Sequence, residues 1–415
     1  MRCGKTDFPT RRHTCCLVVA LGLIAGQARG EIKLLGTAIL PGESTDHSGL
    51  TDQLAGGIPH NRLGGISAID YSGKGNEYLL LPDRGPADGA TAYSCRVHLL
   101  KLVVAPGKTP AVSATVTATT MLADEQGRQL TGSAKAFEGA NPAQWQRFDP
   151  EGGRLGPGGV IFLSDEYGPS VFAFSPAGKR TAVLKIPAKF AVIHPAAKPD
   201  EEAAHNSTGR QSNGGLEGLA IVPSGKKLYA SMQRPLIQDS RPDEKTPGKR
   251  IGTNTRILEI DLSQGTTREI LYPLDDSANG VSEILAINDH EFLVLERDGK
   301  PGAEAVAKRI YKINAAGATD VSSRETLPPK KIPADVVPVQ KSLFLDLLDP
   351  KFGLAGADFP EKVEGLAFGP DLPDGRRLLI VAIDNDFVGA KPILLHAFAI
   401  DRGDLPGLEK PRFWK

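Results

Sequence analysis

The 415-residue sequence predicts an all-β fold, a β-propeller of five four-stranded blades with six as the open alternative. Three observations carry this. A hairpin unit recurs five times, each copy an apolar run, a short turn and a second apolar run. The copies start near residues 65, 151, 217, 283 and 364, which leaves room in each interval for four strands and their loops. The last copy lacks a fourth strand, and Glu31–Leu40 at the start of the mature chain supplies a spare one. Pairing the two chain ends would close the ring and remove the open edges of a linear array.

Residues 1–30 have the form of a secretory signal. Arg2, Lys5, Arg11 and Arg12 make a basic start, and Cys15 to Ala25 is an apolar stretch too short to span a bilayer. Ala28-Arg29-Gly30 offers small residues for cleavage before Glu31. Residues 31–415 then form a single propeller domain, periplasmic or secreted. Three of the four cysteines lie in the signal, so Cys95 has no internal disulfide partner and reads as a small apolar strand residue.

The first blade takes its hairpin from Leu63 to Arg84, then Arg96–Val104 and Val112–Met121. The second runs from Glu151 to Glu166, then Ser170–Ser175 and Arg180–Ile186. The third contains Leu216–Val222, Leu228–Met232, Arg256–Leu262 and Thr267–Tyr272. The fourth is expected to add Arg309–Asn314 and Ala318–Thr326 to the hairpin that ends at Arg297. The fifth has the hairpin Val363–Asp384 and Ile393–Ile400. Residues 121–148 and 327–362 are long enough to hide extra strands, hence the sixth-blade alternative.

Composition narrows the function. Forty-nine basic residues balance 49 acidic ones, so no general attraction to nucleic acid or an anionic membrane is expected. No further stretch is apolar enough for a membrane helix. The connections from second to third strand, and from one blade to the next, are long and share one face. Long loops on a rigid scaffold are where function concentrates.

Acidic residues fall on that same rim. Glu151, Glu217, Glu283 and Glu364 open four of the five innermost strands, with Gly65 at the equivalent place in the first blade. The second strands end at the same level with Asp83-Arg84, Asp165-Glu166, Gln233-Arg234, Glu296-Arg297-Asp298 and Asp384-Asn385-Asp386. Two like charges ~4 Å apart cost about 4 kcal/mol at an effective dielectric near 20. Arginines, a bound cation or raised carboxyl pKa values must offset that cost. Held by several carboxylate oxygens, Glu151, Glu217, Glu283 and Glu364 would suit Ca²⁺. Glu217, Glu283, Asp165 and Glu166 are the candidate catalytic carboxylates, and Arg84, Arg234 and Arg297 the candidate clamps for an anionic substrate. The competing reading is structural: each glutamate pairs with amides or an arginine of the next blade simply because the blade recurs.

Other chemistry is sparse. No Gly-x-Ser-x-Gly elbow is present. His47, His60, His194 and His205 fall in rim loops without metal-ligand spacing and read as solvated. Asn206-Ser207-Thr208 matches a glycosylation sequon.

Four motifs in order resemble the phytase-like family, labelled "esterase-like activity of phytase". They are Asp83-Arg84-Gly85; Phe148 to Gly152 with Ser164 to Gly168; Asn213 to Ala220; and Val363 to Leu366. The similarity spans roughly residues 45 to 400. It implies an exported propeller acting on phosphate or other esters. Two functions remain open: metal-assisted hydrolysis of a small anionic ester at the channel mouth, and non-catalytic binding of a ligand or protein by the same rim.

Overall fold

Most inner-strand positions of this chain are buried on both faces, whereas several of the outermost strands are largely exposed or half-buried. Leu216–Ile221 is buried at every position, while Val112–Met121 is exposed or half-buried at most of its positions. A strand packed between two neighbouring sheets needs apolar side chains on both faces, and one at the periphery does not. The computed structural model describes residues 1–4 and 30–414, apart from 140, 142, 143 and 247. The expected signal therefore lies mostly outside the described residues.

Strand β1 (Lys33–Leu40) comes first. Blade one is β2 (Ile66–Tyr71), β3 (Glu77–Pro82), β4 (Arg96–Val104) and β5 (Val112–Met121). Blade two is β6 (Pro150–Leu155), β7 (Ile161–Asp165), β8 (Ser170–Phe174) and β9 (Arg180–Leu184). A short helix α1 (Pro199–His205) precedes blade three, which is β10 (Leu216–Ile221), β11 (Lys227–Met232), β14 (Asn254–Asp261) and β15 (Thr267–Pro273). The pair β12 (Arg241–Pro242) and β13 (Arg250–Ile251) forms a small ribbon between β11 and β14. Blade four is β16 (Gly280–Ala286), β17 (Glu291–Arg297), β18 (Lys308–Asn314) and β19 (Gln340–Asp346). Blade five is β20 (Val363–Phe368), β21 (Arg377–Ile383), β22 (Ile393–Ile400) and, on its outer edge, β1. All pairings within blades are antiparallel, and Lys33 to Leu40 pairs with Ala399 to Ile393 as the ring closure requires. Five blades are present, not six.

One strand differs from expectation. Residues 318–326 do not form the outer strand of blade four; Gln340–Asp346 does. Asp320 Oδ1 accepts from the amide and hydroxyl of Ser322, an Asx-type turn that competes with a ladder. The segment instead runs along the edge of blade three, where Val321 N donates to Glu269 O and Val339 N to Leu271 O. Val321, Leu327 and Val336 cluster on Leu271. The excursion covers an edge strand that would otherwise present unpaired backbone groups.

Five apolar clusters fill the five interfaces between neighbouring blades. Leu80 of blade one meets Ile380 of blade five, Phe172 meets Leu81, and Leu258 meets Val171. Phe292 meets Tyr229 and Leu379 meets Leu293 at the remaining two. Each inner strand touches the next, closing a ring around the axis. Glycines permit that approach: a Cβ on Gly218 would lie 2.6 Å from Glu283 Cα, and one on Gly152 would lie 2.5 Å from Glu217 O.

Among the described residues, one fully buried ion pair links inner strands across the ring. Arg154 of β6 reaches Glu283 of β16 at 2.9 Å, both fully buried. The guanidinium also donates to Ile69 O (3.1 Å), Gly153 O (2.8 Å), Ile284 O (3.0 Å) and Leu366 O (3.4 Å). Glu283 accepts from Leu219 N at 3.1 Å, so all five blades are tied through these two side chains. Below the pair, Asp70 accepts from Leu155 N at 2.8 Å, and burial pushes its carboxyl up to about 6. The C-terminal tail covers this end. Glu409 N donates to Ile287 O, Arg412 N donates to Pro223 O, and Trp414 stands edge-on to Tyr71 at 5.1 Å. A cavity of about 50 Å³ remains beneath it.

Removing one partner of a buried ion pair strands the other, which costs roughly 3–5 kcal/mol. Arg154→Met should therefore lower the thermal midpoint by several degrees in a calorimetric scan. Arg376→Met, which breaks an ion pair with the half-exposed Asp374, should leave it within about a degree. Equal effects of the two would contradict the role assigned to Arg154.

Candidate functional site

The site is built at the opposite end of the axis by the start of each inner strand. A bulge recurs there in every blade: the register shifts between Ile66 and Ala68, Pro150 and Gly153, Leu216 and Leu219, Val281 and Glu283, and Val363 and Gly365. Bulges re-aim side chains at sheet rims. Glu151, Glu217 and Glu364 occupy equivalent bulge positions. Their blade-four counterpart is Ser282, and that of blade one is Ser67 rather than Gly65.

Glu283 is thus one residue out of step with the other three. A one-residue shift turns a strand side chain to the opposite direction. Its carboxylate leaves the mouth and meets Arg154 inside the channel. The expectation that Glu283 shares a site with Glu151, Glu217 and Glu364 is corrected accordingly. Burial pushes it up to about 7, against the pull of Arg154. Asp165 is also drawn away. Its oxygens accept from the amides of Asp149 (3.0 Å), Tyr167 (3.2 Å) and Gly168 (2.9 Å), so it shapes the turn after β7. Burial pushes it up to about 7.

The remaining candidates converge. Arg84 pairs with Asp149 and with Glu166 (3.1 Å), and donates to Asn213 Oδ1 (2.7 Å) and Asp88 Oδ1 (3.2 Å). Arg297 pairs with Glu364 and donates to Ser282 Oγ at 3.0 Å. Lys362 pairs with Asp384 (3.4 Å) and Asp386. Glu217 accepts from Gln233 Nε2. Glu151 and Arg234, by contrast, make no hydrogen bond or ion pair with any of the described residues.

Electrostatics follow from this census. Eight carboxyl groups (Asp83, Asp149, Glu151, Glu166, Glu217, Glu364, Asp384, Asp386) meet four cations (Arg84, Arg234, Arg297, Lys362), so full ionisation would leave the mouth with excess negative charge. Burial, then Glu217 and Asp149, hold Glu151 well above the carboxylate range. Burial, then Glu166 and Glu364, do the same to Glu217. Burial and Asp384 raise Asp83. Ligand atoms of Asp149, Glu151 and Glu166 lie within 4.8 Å of one another, as do those of Asp83, Asp384 and Asp386. Both sets are hard oxygen donors of the kind that suit Ca²⁺.

Backbone strain collects here too. The non-glycine residues with positive φ among those described are Ala87, Asp88, Asn213, Asp386 and Phe387, all in rim loops. Such conformations cost about 1–3 kcal/mol each and cluster at sites where geometry is held for a purpose. Asp88 and Asn213 aim their side chains at Arg84, and Asp386 aims at Lys362.

Sequence reasoning passed over Arg154 and Lys362. Arg154 had a signal, a lone arginine inside a buried inner strand; Lys362 had none. The loop histidines stay outside the mouth. His60 pairs with Asp52 at 3.0 Å, and His47 Nε2 lies 3.0 Å from Val116 O. Asn206 of the sequon is engaged: its Oδ1 accepts from Ile193 N and His194 N, and its Nδ2 donates to His194 O and Glu202 O.

Fold and mouth define the class: a five-bladed propeller with a carboxylate- and arginine-lined opening at one end of its axis. The chain belongs to the phytase-like family, whose model carries the description esterase-like activity of phytase and matches residues 61–387. A curated relative from Arthroderma benhamiae, described as an uncharacterized secreted protein, is 29% identical over 311 residues. That alignment covers 59% of this chain and 60% of the relative, so the chain spans about three fifths of the length of the protein it matches. Among solved structures, virginiamycin B lyase from Staphylococcus aureus is similar at 13% identity and a TM-score of 0.36, covering 89% of this chain and all of that one. A gluconolactonase from Xanthomonas campestris is similar at 8% identity and a TM-score of 0.38, covering 93% of this chain and 91% of that one. Likeness at that level bears on neither mechanism nor substrate. No described helix is long and apolar enough to cross a membrane.

The raised carboxyls set the pH response. The folded mouth binds protons that the unfolded chain has released above about pH 4, so stability must fall as pH rises beyond that value. In chelator the melting temperature should drop between about pH 5 and about pH 8, and less so in Glu151→Gln. Added Ca²⁺ should raise it more at the higher pH, where no proton must be displaced. A flat profile, or equal Ca²⁺ effects at both pH values, would refute the assignment.

Proposed function

We propose that the protein is an exported hydrolase of phosphate or other anionic esters, working at this mouth with a divalent cation held by Asp149, Glu151 and Glu166. The supporting observation is Glu151: a carboxylate among carboxylates, with no partner from the described residues, in one of the two places where hard oxygen ligands converge. A divalent ion bound there would polarise an ester oxygen and lower the pKa of a bound water. The chain's own groups do the rest. Glu217, whose carboxyl is raised by burial and then by Glu166 and Glu364, would accept and return a proton, with Gln233 fixing its carboxylate. Arg234, free of carboxylate partners, receives the anionic group of the substrate. Arg84 and Arg297 are committed to Asp149, Glu166 and Glu364, so they hold the carboxylates in place rather than clamp the ligand.

A second reading, a non-catalytic binding propeller, draws on the same pairings. A rim built only for stability would also match Arg84, Arg297 and Lys362 to neighbouring acids.

Chromogenic phosphate and carboxylic esters, assayed with Ca²⁺ or with chelator, separate the two. The hydrolytic reading expects chelator-sensitive turnover that Glu217→Gln lowers by at least about 100-fold, on the scale set by loss of general acid–base catalysis. Arg234→Gln should act mainly on KM, and mainly for the more highly charged ester. Turnover of neither substrate would leave the binding module.

A further inference from the structure

Arg234 faces two ways. On one side it lies by Glu166 and Glu217 of the mouth. On the other it lines a cleft of about 330 Å³ between the α1 loop and the β12–β13 ribbon. Its aliphatic stem packs on Gly214, where an added Cβ would lie 3.1 to 3.4 Å from the side chain, so its position is set before any ligand arrives. Burial and the nearby Arg297 both pull its guanidinium below the usual arginine range, and Glu166 and Glu217 only partly offset them. An anion beside Arg234 would relieve that cost.

The rest of the cleft is cationic as well. Arg250 is held by Nε to Ser240 Oγ (2.9 Å) and by Nη2 to Ile237 O (3.0 Å) and Ser240 O (2.9 Å), which leaves Nη1 without a partner among the described residues. Burial pulls its guanidinium down. Lys249 is exposed at the rim of the cleft with no side-chain partner among the described residues. The exposed Asp200 is the only acid among the lining residues. The opposite wall is fixed, because Glu202 of α1 is clamped by Arg210 (2.6 Å) and Arg147 (3.4 Å). Three cations against one exposed acid, in a walled cleft that shares Arg234 with the mouth, make a subsite for negative charge.

We propose that this cleft holds a second anionic group of the substrate, so that the preferred ligand carries at least two separated anionic groups, one at the mouth and one between Arg234, Arg250 and Lys249. The inference rests on the hydrolytic reading for its biological meaning, but the cleft is tested by binding alone. Phosphate and carboxylate share this recognition chemistry, and the choice of probe distinguishes them.

Titration calorimetry in chelator, with orthophosphate, linear tripolyphosphate and tricarballylate, decides the matter. Tripolyphosphate should bind at least 10-fold tighter than orthophosphate, and its affinity should fall with added salt. Lys249→Gln, an exposed change that leaves the fold intact, should shrink that preference several-fold. Arg234→Gln should abolish it. Tricarballylate binding as tightly as tripolyphosphate would widen the class to polycarboxylates; weaker binding would confine it to phosphates. Equal affinities for tripolyphosphate and orthophosphate, or a preference unmoved by Lys249→Gln, would overturn the subsite. Because no turnover is read, a preference that survives without any detectable hydrolysis sustains the cleft and sinks only the hydrolytic reading.

Discussion

The ion pair between Arg154 and Glu283 is the constraint on which the rest of this molecule depends. A propeller leaves a hole where its inner strands converge, and that hole is lined by backbone groups with no partner of their own. Here one guanidinium gathers carbonyls from four blades while one carboxylate takes an amide from the remaining one. Its desolvation is offset only because nearly every donor is used, which is the condition under which a buried pair is tolerated at all. The geometry also explains a sequence habit. Glycine follows glutamate in Glu151-Gly152, Glu217-Gly218 and Glu364-Gly365 because the next inner strand passes too close for a Cβ. Blade four breaks the habit by placing Glu283 where the others have glycine, and that exception supplies the axial carboxylate.

The axial pair has a consequence for chemistry. With Arg154 across the channel and Leu408 to Trp414 folded beneath it, the axis is closed from one side, so the carboxylate-lined opening is the floor of a pocket rather than the end of a pore. A low-dielectric floor makes each uncompensated charge expensive and each complementary ligand effective. The mouth meets this partly by internal pairing: Lys362 answers Asp384 and Asp386, and Arg297 answers Glu364. What pairing leaves over is unevenly placed. The carboxyls left without an ion pair include Asp83, Glu151 and Glu217, and Arg234, likewise without one, lies near Glu217.

Much of the fold was legible because period and turn chemistry speak directly about strands. The hairpins, the five blades and the closure by β1 all follow from runs of apolar residues between glycines, prolines and asparagines. Residues 318–326 misled for an equally local reason: Val321 and the flanking threonines suggest a strand, but Asp320 and Ser322 make a turn, and the apolar side chains are spent on the edge of blade three. The site was legible to the level of the rim and no finer. Glu283 could have been separated from its neighbours by counting back from the apolar run, since Ser282-Glu283-Ile284 aligns with Glu217-Gly218-Leu219 once the bulge is allowed for. Which arginine would be spent on structure was not legible, because Arg84, Arg234 and Arg297 all follow a second strand in the same way. Only the third dimension shows that Asp149 and Glu364 are within reach of two of them.

That division of labour among three equivalent arginines is what gives the rim a direction. Arg84 and Arg297 stand on either side of Glu217 and pull the neighbouring acids into fixed positions, with strained residues at Asp88 and Asn213 locking Arg84 in turn. The third arginine belongs to the blade whose second-to-third-strand loop carries the extra ribbon β12–β13, and whose incoming loop carries α1. The ribbon brings Lys249 and Arg250 to the cleft that Arg234 lines, α1 forms the facing wall, and the acidic mouth lies on the other side of Arg234. A symmetric ring of blades has thereby acquired a basic side and an acidic side, and the anionic ester with a divalent ion proposed above would use both.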